Sequence, residues 1–239
     1  MTDQHESMDP IDAFAAIARI RLSEITLDGV LSQLAGLAQR TIPGAAQVSV
    51  TLSRGKGAYT AAFTGELAIN LDETQYERGH GPCLDALASG ETLAVPDMSR
   101  ETRWPDFAVR AREAGCHSSL SVGLPVHESV SGALNIYAMG PEAFDDDAID
   151  LAQTFAAYAA VVLANAHLYD AQATLAHHMQ TAMENRALIE QAKGIIMGDR
   201  GCTSEDAFKI LTKLSQDTNR KLRDVAQVLV NRAVETPKH

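Results

Sequence analysis

Residues 147–197 read DAIDLAQTFAAYAAVVLANAHLYDAQATLAHHMQTAMENRALIEQAKGIIM, with no proline and no glycine before Gly194. Nothing in roughly 45 consecutive residues breaks a helix, whereas globular helices usually stop by about 25. The run therefore predicts a linking helix or a coiled coil. Leu168, Leu175, Ala182, Ile189 and Ile196 recur every seven residues. Ala171 and Ala192 lie on the companion row, which His178 and Asn185 interrupt. This imperfect seam predicts a homodimer held along the helix. The competing reading is a helix that packs back on its own domain. Asp145-Asp-Asp147 at the start of the run reads as acidic residues at a helix N-terminus, where the dipole favours them, rather than as a metal cluster.

Upstream of this run the pattern is mixed. Residues 11–41 read as two helical stretches, the second carrying Leu27, Val30, Leu31, Leu34, Leu37 and Ala38 at 3–4 spacing. Pro43-Gly44 ends them. Gln47–Leu52 alternates polar and apolar residues, as a half-buried strand does. Arg54-Gly-Lys-Gly57 reads as the turn of a hairpin returning through Tyr59–Phe63. Residues 66–90 read as loop and one short helix, Leu84–Ala88. Thr92–Val95, Ser118–Val126 and Ser131–Tyr137 read as strands, the last two joined by His127-Glu-Ser129, with a short helix at Asp106–Ala114. Strands grouped between flanking helices, without βαβ alternation, predict an antiparallel sheet in an α+β domain.

Downstream, the charge changes. The chain of 239 residues has a net charge of -11 and a pI near 5.1. Residues 1–170 hold 10 Lys+Arg against 23 Asp+Glu, net -13; residues 171–239 hold 10 against 8, net +2. Halves of different charge suggest different partners. Thr203-Ser-Glu-Asp206 resembles a capping box and predicts a helix through about Asp217 with Ala207, Ile210, Leu211 and Leu214 inside. Asn219 is expected to cap a third helix. The basic residues of this segment include Arg186, Lys193, Arg200, Lys209, Lys213, Arg220, Lys221 and Arg223. Charge alone leaves them as ordinary solvated positions; the cluster Arg220-Lys-Leu-Arg223 is the least ordinary.

Several classes are excluded at this level. No run of about 18 residues is apolar throughout, so no membrane span is expected. The polar start, MTDQHESMDP, does not read as a secretory leader. Cys83, Cys116 and Cys202 are widely spaced and make neither a disulfide framework nor a CxxC metal site. A cytoplasmic location follows as the expectation.

Gln191-Ala-Lys-Gly-Ile-Ile-Met197, followed by Arg200-Gly-Cys-Thr-Ser-Glu-Asp-Ala-Phe208 and Leu214-Ser-Gln-Asp-Thr-Asn-Arg-Lys-Leu222, closely resembles the ANTAR domain of bacterial transcription antiterminators. The resemblance covers about 178–235. Residues 11–167 resemble a GAF domain through Gly79-His-Gly-Pro-Cys-Leu-Asp-Ala-Leu87, Arg103-Trp-Pro-Asp-Phe107, Gly115-Cys-His-Ser-Ser-Leu120 and Gly132-Ala-Leu-Asn-Ile-Tyr137. Together they resemble actinobacterial GAF-ANTAR regulators. The resemblance implies a six-stranded GAF sheet, a linking helix over 168–190 and a three-helix RNA-binding module. It implies a structured leader RNA with paired stem-loops as partner, and a small molecule or signalling partner at the GAF domain. Arg186, Lys193, Arg200, Arg220, Lys221 and Arg223 are the candidate RNA contacts. Ala192 and Gly194 are expected where helices approach closely, with Met197, Phe208, Leu211 and Leu222 at the centre.

Trp104, Ser119, Asn135 and Tyr137 are the candidate lining of a GAF pocket. Trp104 reads equally as a loop anchor, and the other three as sheet-surface residues if the pocket is collapsed. Cys83 reads as a small buried thiol, because no basic neighbour is visible to activate it. Cys116-His117 lacks a second pair at ligand spacing, and no haem signature is present. Cys83, His117 and Asp97 make a nucleophilic set on paper only. The expectation is a regulator and not an enzyme. The alternative is a GAF sensor whose tail docks proteins and dimerises without binding RNA.

Overall fold

The computed structural model describes residues 7–54, 57–127 and 130–235. The chain divides into two compact units, residues 1–170 and 171–239. In the first unit α1 (Pro10–Ala18) and α2 (Leu27–Thr41) precede β1 (Gln47–Arg54) and β2 (Gly57–Phe63). Then come α3 (Glu66–Arg78), α4 (Pro82–Ser89), β3 (Thr92–Val95), α5 (Pro105–Glu113), β4 (Ser118–His127) and β5 (Val130–Ala138). The two expected hairpin turns fall partly on residues 55–56 and 128–129, outside the described residues.

The strands form one antiparallel sheet in the order β2-β1-β5-β4-β3. Five strands are described, rather than the six the resemblance implied. Val48, Val50, Leu120, Val122, Leu134 and Ile136 line one face. They pack with Leu31 and Leu34 of α2 and with Phe155 and Leu163 of the long helix α6 (Asp146–Arg200). Period-2 alternation sends Ser49, Thr51, Ser119, Ser121, Asn135 and Tyr137 to the other face. That face is covered by α3, α4 and α5, so these residues are buried and β1 is not half-solvated as its alternation predicted.

Helix α3 is where the sequence reading fell short. Its buried positions are Ala68, Leu71, Asp72 and Gln75, a proper 3–4 stripe. Two of the four are polar, which hides the helical period. Its N-cap, Gly65, offers no side chain. Gln47 of β1 supplies the missing cap instead, its Oε1 accepting from the Ala68 N–H at 3.0 Å. Helix α4 is capped the same way: Gln75 Oε1 accepts from the Cys83 N–H at 2.8 Å. Gly81 precedes it at φ 157°, and a Cβ there would overlap the Gln75 side chain.

Helix α6 runs 55 residues, from the first unit into the second. Asp145 Oδ1 accepts from the Ala148 N–H at 2.9 Å, as an acidic N-terminus should. Its first turns are core: Ala152, Phe155, Ala156, Ala159 and Leu163 are buried. By length and hydropathy α6 is the one described helix apolar enough to cross a membrane, contrary to expectation. Part of that apolar stretch is spent on the sheet. The expected seam then divides. Leu168 is 47% exposed and Leu175 60%, whereas Ile196 is buried in the second unit.

The second unit joins the end of α6 to α7 (Ser204–Thr218) and α8 (Leu222–Glu235). Ala192, Ile196, Ala207, Leu211 and Ala226 form its small core. Thr203 caps α7, accepting from the Asp206 N–H at 3.2 Å. Asn219 caps the end of α7 in the left-handed region, φ 50°, and does not begin α8. Phe208, 44% exposed, and Met197 lie outside the core expected to hold them. Gly194 is not at a close approach: beyond the helix's own backbone, nothing among the described residues lies within 4 Å of where its Cβ would be.

Candidate functional site

The polar face of the sheet carries a buried hydrogen-bonded cluster. Helix α3 delivers Asp72 and Tyr76, α4 delivers Cys83, and β1, β2 and β5 deliver Thr51, Thr60, Asn135 and Tyr137. Asp72 Oδ1 accepts from the Tyr137 hydroxyl at 2.5 Å and from Asn135 Nδ2 at 3.3 Å. Its Oδ2 accepts from Thr60 Oγ1 at 2.7 Å. Thr51 Oγ1 bonds the Tyr76 hydroxyl at 2.8 Å and Cys83 Sγ at 3.1 Å.

All of these partners of Asp72 are neutral. Burial therefore dominates and pushes its carboxyl up to about 6, although hydrogen bonds from Tyr137 and Thr60 pull the other way. Burial, with the Asp72 charge second, pushes the Cys83 thiol up to about 12. Burial also raises Tyr76 and Tyr137, Asp72 again adding to it. A thiol held protonated at neutral pH is a poor nucleophile. The hydrogen-bond partners of Cys83 include neither His117 nor Asp97.

Asn135 Nδ2 lies within reach of Ser49 Oγ, Thr51 Oγ1, Asp72 Oδ1 and Cys83 Sγ. An amide carries only two N–H protons, so it serves two of these four at a time. Asn135 Oδ1 and Ser119 Oγ are buried with no partner among the described residues. Unsatisfied buried acceptors are costly, and they offer a donor-bearing ligand or a water somewhere to bind.

Three of the four expected lining residues therefore meet on one face, but as a packed cluster. Trp104 is not hydrogen-bonded into it but belongs to the apolar core that includes Tyr137 and Leu71. It is buried, N-caps α5, and donates from Nε1 to Asp85 Oδ2 at 2.9 Å. The Arg103 guanidinium stacks over its ring at 4.3 Å. This geometry ties α4 to the start of α5 and matches the loop-anchor reading. Asp72, the centre of the cluster, escaped the sequence reading. Its signal was the Ala68/Leu71 stripe on which it sits.

In the second unit the basic candidates differ among themselves. Arg186, Arg200, Arg220 and Lys221 are exposed and make no ion pair among the described residues. Arg220 and Lys221 occupy the short connection that the left-handed Asn219 opens between α7 and α8. Lys193, by contrast, bonds Glu190 at 2.8 Å and its side chain is only 13% exposed. Arg223 pairs with Asp224 at 3.3 Å. These two are not the free cations that were expected.

The family model described as GAF domain matches residues 24–164, and that described as ANTAR domain matches residues 177–230. Among solved structures, the phycoerythrobilin-bound GAF domain of a cyanobacterial phytochrome is 13% identical, with a TM-score of 0.52, covering 68% of this chain and 98% of its own. The GAF domain of a phosphoenolpyruvate-protein phosphotransferase from Coxiella burnetii is 17% identical, with a TM-score of 0.50, covering 69% and 98%. The fRMsr of Staphylococcus aureus, in its reduced form, is 19% identical, with a TM-score of 0.50, covering 64% and 92%. At these identities the likeness is one of fold. No curated protein matches the sequence.

Proposed function

The chain belongs to the GAF domain family and carries an ANTAR domain after it, and from that premise we propose a cytoplasmic, homodimeric regulator that binds leader RNA and prevents transcription termination. GAF and ANTAR domains are regulatory rather than catalytic, and the protonated state of Cys83 agrees with that. We assign residues 11–167 to the sensor, 168–190 to the linking helix and 178–235 to the RNA module.

The observation that carries this reading is the ANTAR match over 177–230. In that module Arg200, Arg220 and Lys221 are exposed and make no ion pair among the described residues. Such cations meet phosphates, while unstacked loop bases meet side chains. A dimer presents two modules, and linked sites gain affinity through effective concentration. Capture of two stem-loops competes with a terminator hairpin. In the sensor, the unpartnered Asn135 Oδ1 favours a ligand that donates a hydrogen bond, and the Ser119 hydroxyl on that same face can donate or accept one. The exposed row Leu168 and Leu175 supports pairing along α6.

Light scattering with and without a dual stem-loop RNA tests the proposal. A mass near twice 25.6 kDa that rises with RNA is expected. Changing Arg200, Arg220 and Lys221 together to Ala should weaken binding and reduce the salt slope by about 3. A dimer that ignores every structured RNA would replace this reading with the protein-docking one, which the net charge of -11 favours.

A further inference from the structure

The second unit holds a cavity of about 380 Å³ between α6, α7 and α8. Ile210, Leu214 and Leu229 line it, together with the exposed Gly194 and Gly198. The two glycines are four apart and share one helix face. Glycine is a poor helix former, so a pair inside α6 needs a reason. Beyond the helix's own backbone, nothing among the described residues lies within 4 Å of a Cβ at either position, so internal packing supplies none. Their bare backbone leaves a flat shelf beside apolar walls.

The rim is polar. Asp199 and Arg200 line it, and neither makes an ion pair among the described residues. The volume suits one small occupant rather than a docked helix. A flat ring bearing an attached anion satisfies both the apolar shelf and Arg200. An apolar side chain from a second copy would fill the walls but leave the guanidinium unanswered. The Asp199 carboxylate accepts hydrogen bonds and so selects a ring with an exocyclic amino group.

We propose that this cavity receives one unpaired, amino-bearing base of the bound RNA loop, with Arg200 on the adjoining phosphate. This rests on the RNA-binding reading above and adds a base-specific subsite to it.

The test uses the full chain and hairpin RNAs with a constant stem and a randomised loop. The tightest binder is isolated, and each loop nucleotide is then replaced by an abasic one. Gly198→Leu fills the shelf without touching a cation. It should bind the hairpin roughly five- to 150-fold more weakly, the span of one base contact, with an unchanged salt slope. One abasic position should weaken the native chain by the same factor and Gly198→Leu not at all. Gly194→Leu, filling the shelf from one turn away, should behave alike. Circular dichroism checks that both variants fold. Full affinity in both folded variants, or a loss additive with every abasic position, overturns the cavity proposal alone. A changed molar mass with unchanged RNA affinity also overturns it, and gives the cavity to a second copy. A native chain that binds no hairpin at low salt overturns the RNA reading and this one together.

Discussion

Leu134 and Asn135 are neighbours in β5 and face opposite sides of one sheet. Leu134 enters a face of Val, Leu and Ile; Asn135 enters a face of Ser, Thr, Tyr and Asp. Both residues are buried to the same extent. The first face is ordinary core, stabilised by area removed from water. The second buries a carboxylate with no cation beside it and leaves two acceptors unpaired. A fold seeking only stability would not retain that arrangement. Sites where environment shifts a titratable group are functional candidates for this reason.

The largest expected effect sharpens the contrast from the apolar side. Leu134→Ala should lower the unfolding free energy by about 2–5 kcal/mol in a urea titration. A loss well under 1 kcal/mol would mean this face does not dominate stability.

Asp72→Asn should act in the opposite direction. The folded carboxyl titrates near 6 against an ordinary 3.8, so the native state keeps a proton that the unfolded chain has released. The contribution of Asp72 to stability is then fully present below about pH 4 and is lost as pH rises through 6. The variant removes that loss. It should be more stable than the native chain at pH 7 by roughly 2–3 kcal/mol, and urea titrations across pH 4–7 should lose their slope. Lower stability at pH 7 would mean that the bonds from Tyr137 and Thr60 outweigh desolvation, and the two faces would be alike in kind.

The smallest effect is Ser119→Ala. Its hydroxyl is buried and unpaired, so removal should change stability by less than about 1 kcal/mol and in the favourable direction. A clear loss in thermal denaturation would reveal a partner for Ser119, such as a buried water.

Much of this was legible in the residues. Apolar 3–4 spacing marked α2 and the unbroken run marked α6, because those elements bury mostly apolar side chains. Helix α3 was hidden because its buried stripe carries Asp72 and Gln75, and because its cap comes from Gln47 on another element. The strands are legible, but alternation reads β1 as half-buried and leaves Asn135, Ser119 and Tyr137 as either pocket lining or sheet surface. Alternation reports that two faces differ, not that one is wet. Asn135, Ser119 and Tyr137 were named as lining, while the acid that organises them was not. Among the cations, Lys193 and Arg223 could not be separated from Arg200, Arg220 and Lys221, since pairing with Glu190 and Asp224 depends on helix geometry.

Local pattern and motifs in fixed order suffice for the two-domain order, the α+β class, the long helix and both family resemblances. Packing alone reveals that β1, β4 and β5 bury residues on both faces, that Asp72 sits at the centre of the polar face, and that Gly194 and Gly198 line an open cavity. Those facts depend on which distant elements meet, and burial, unlike periodicity, is a property of the packed chain as a whole.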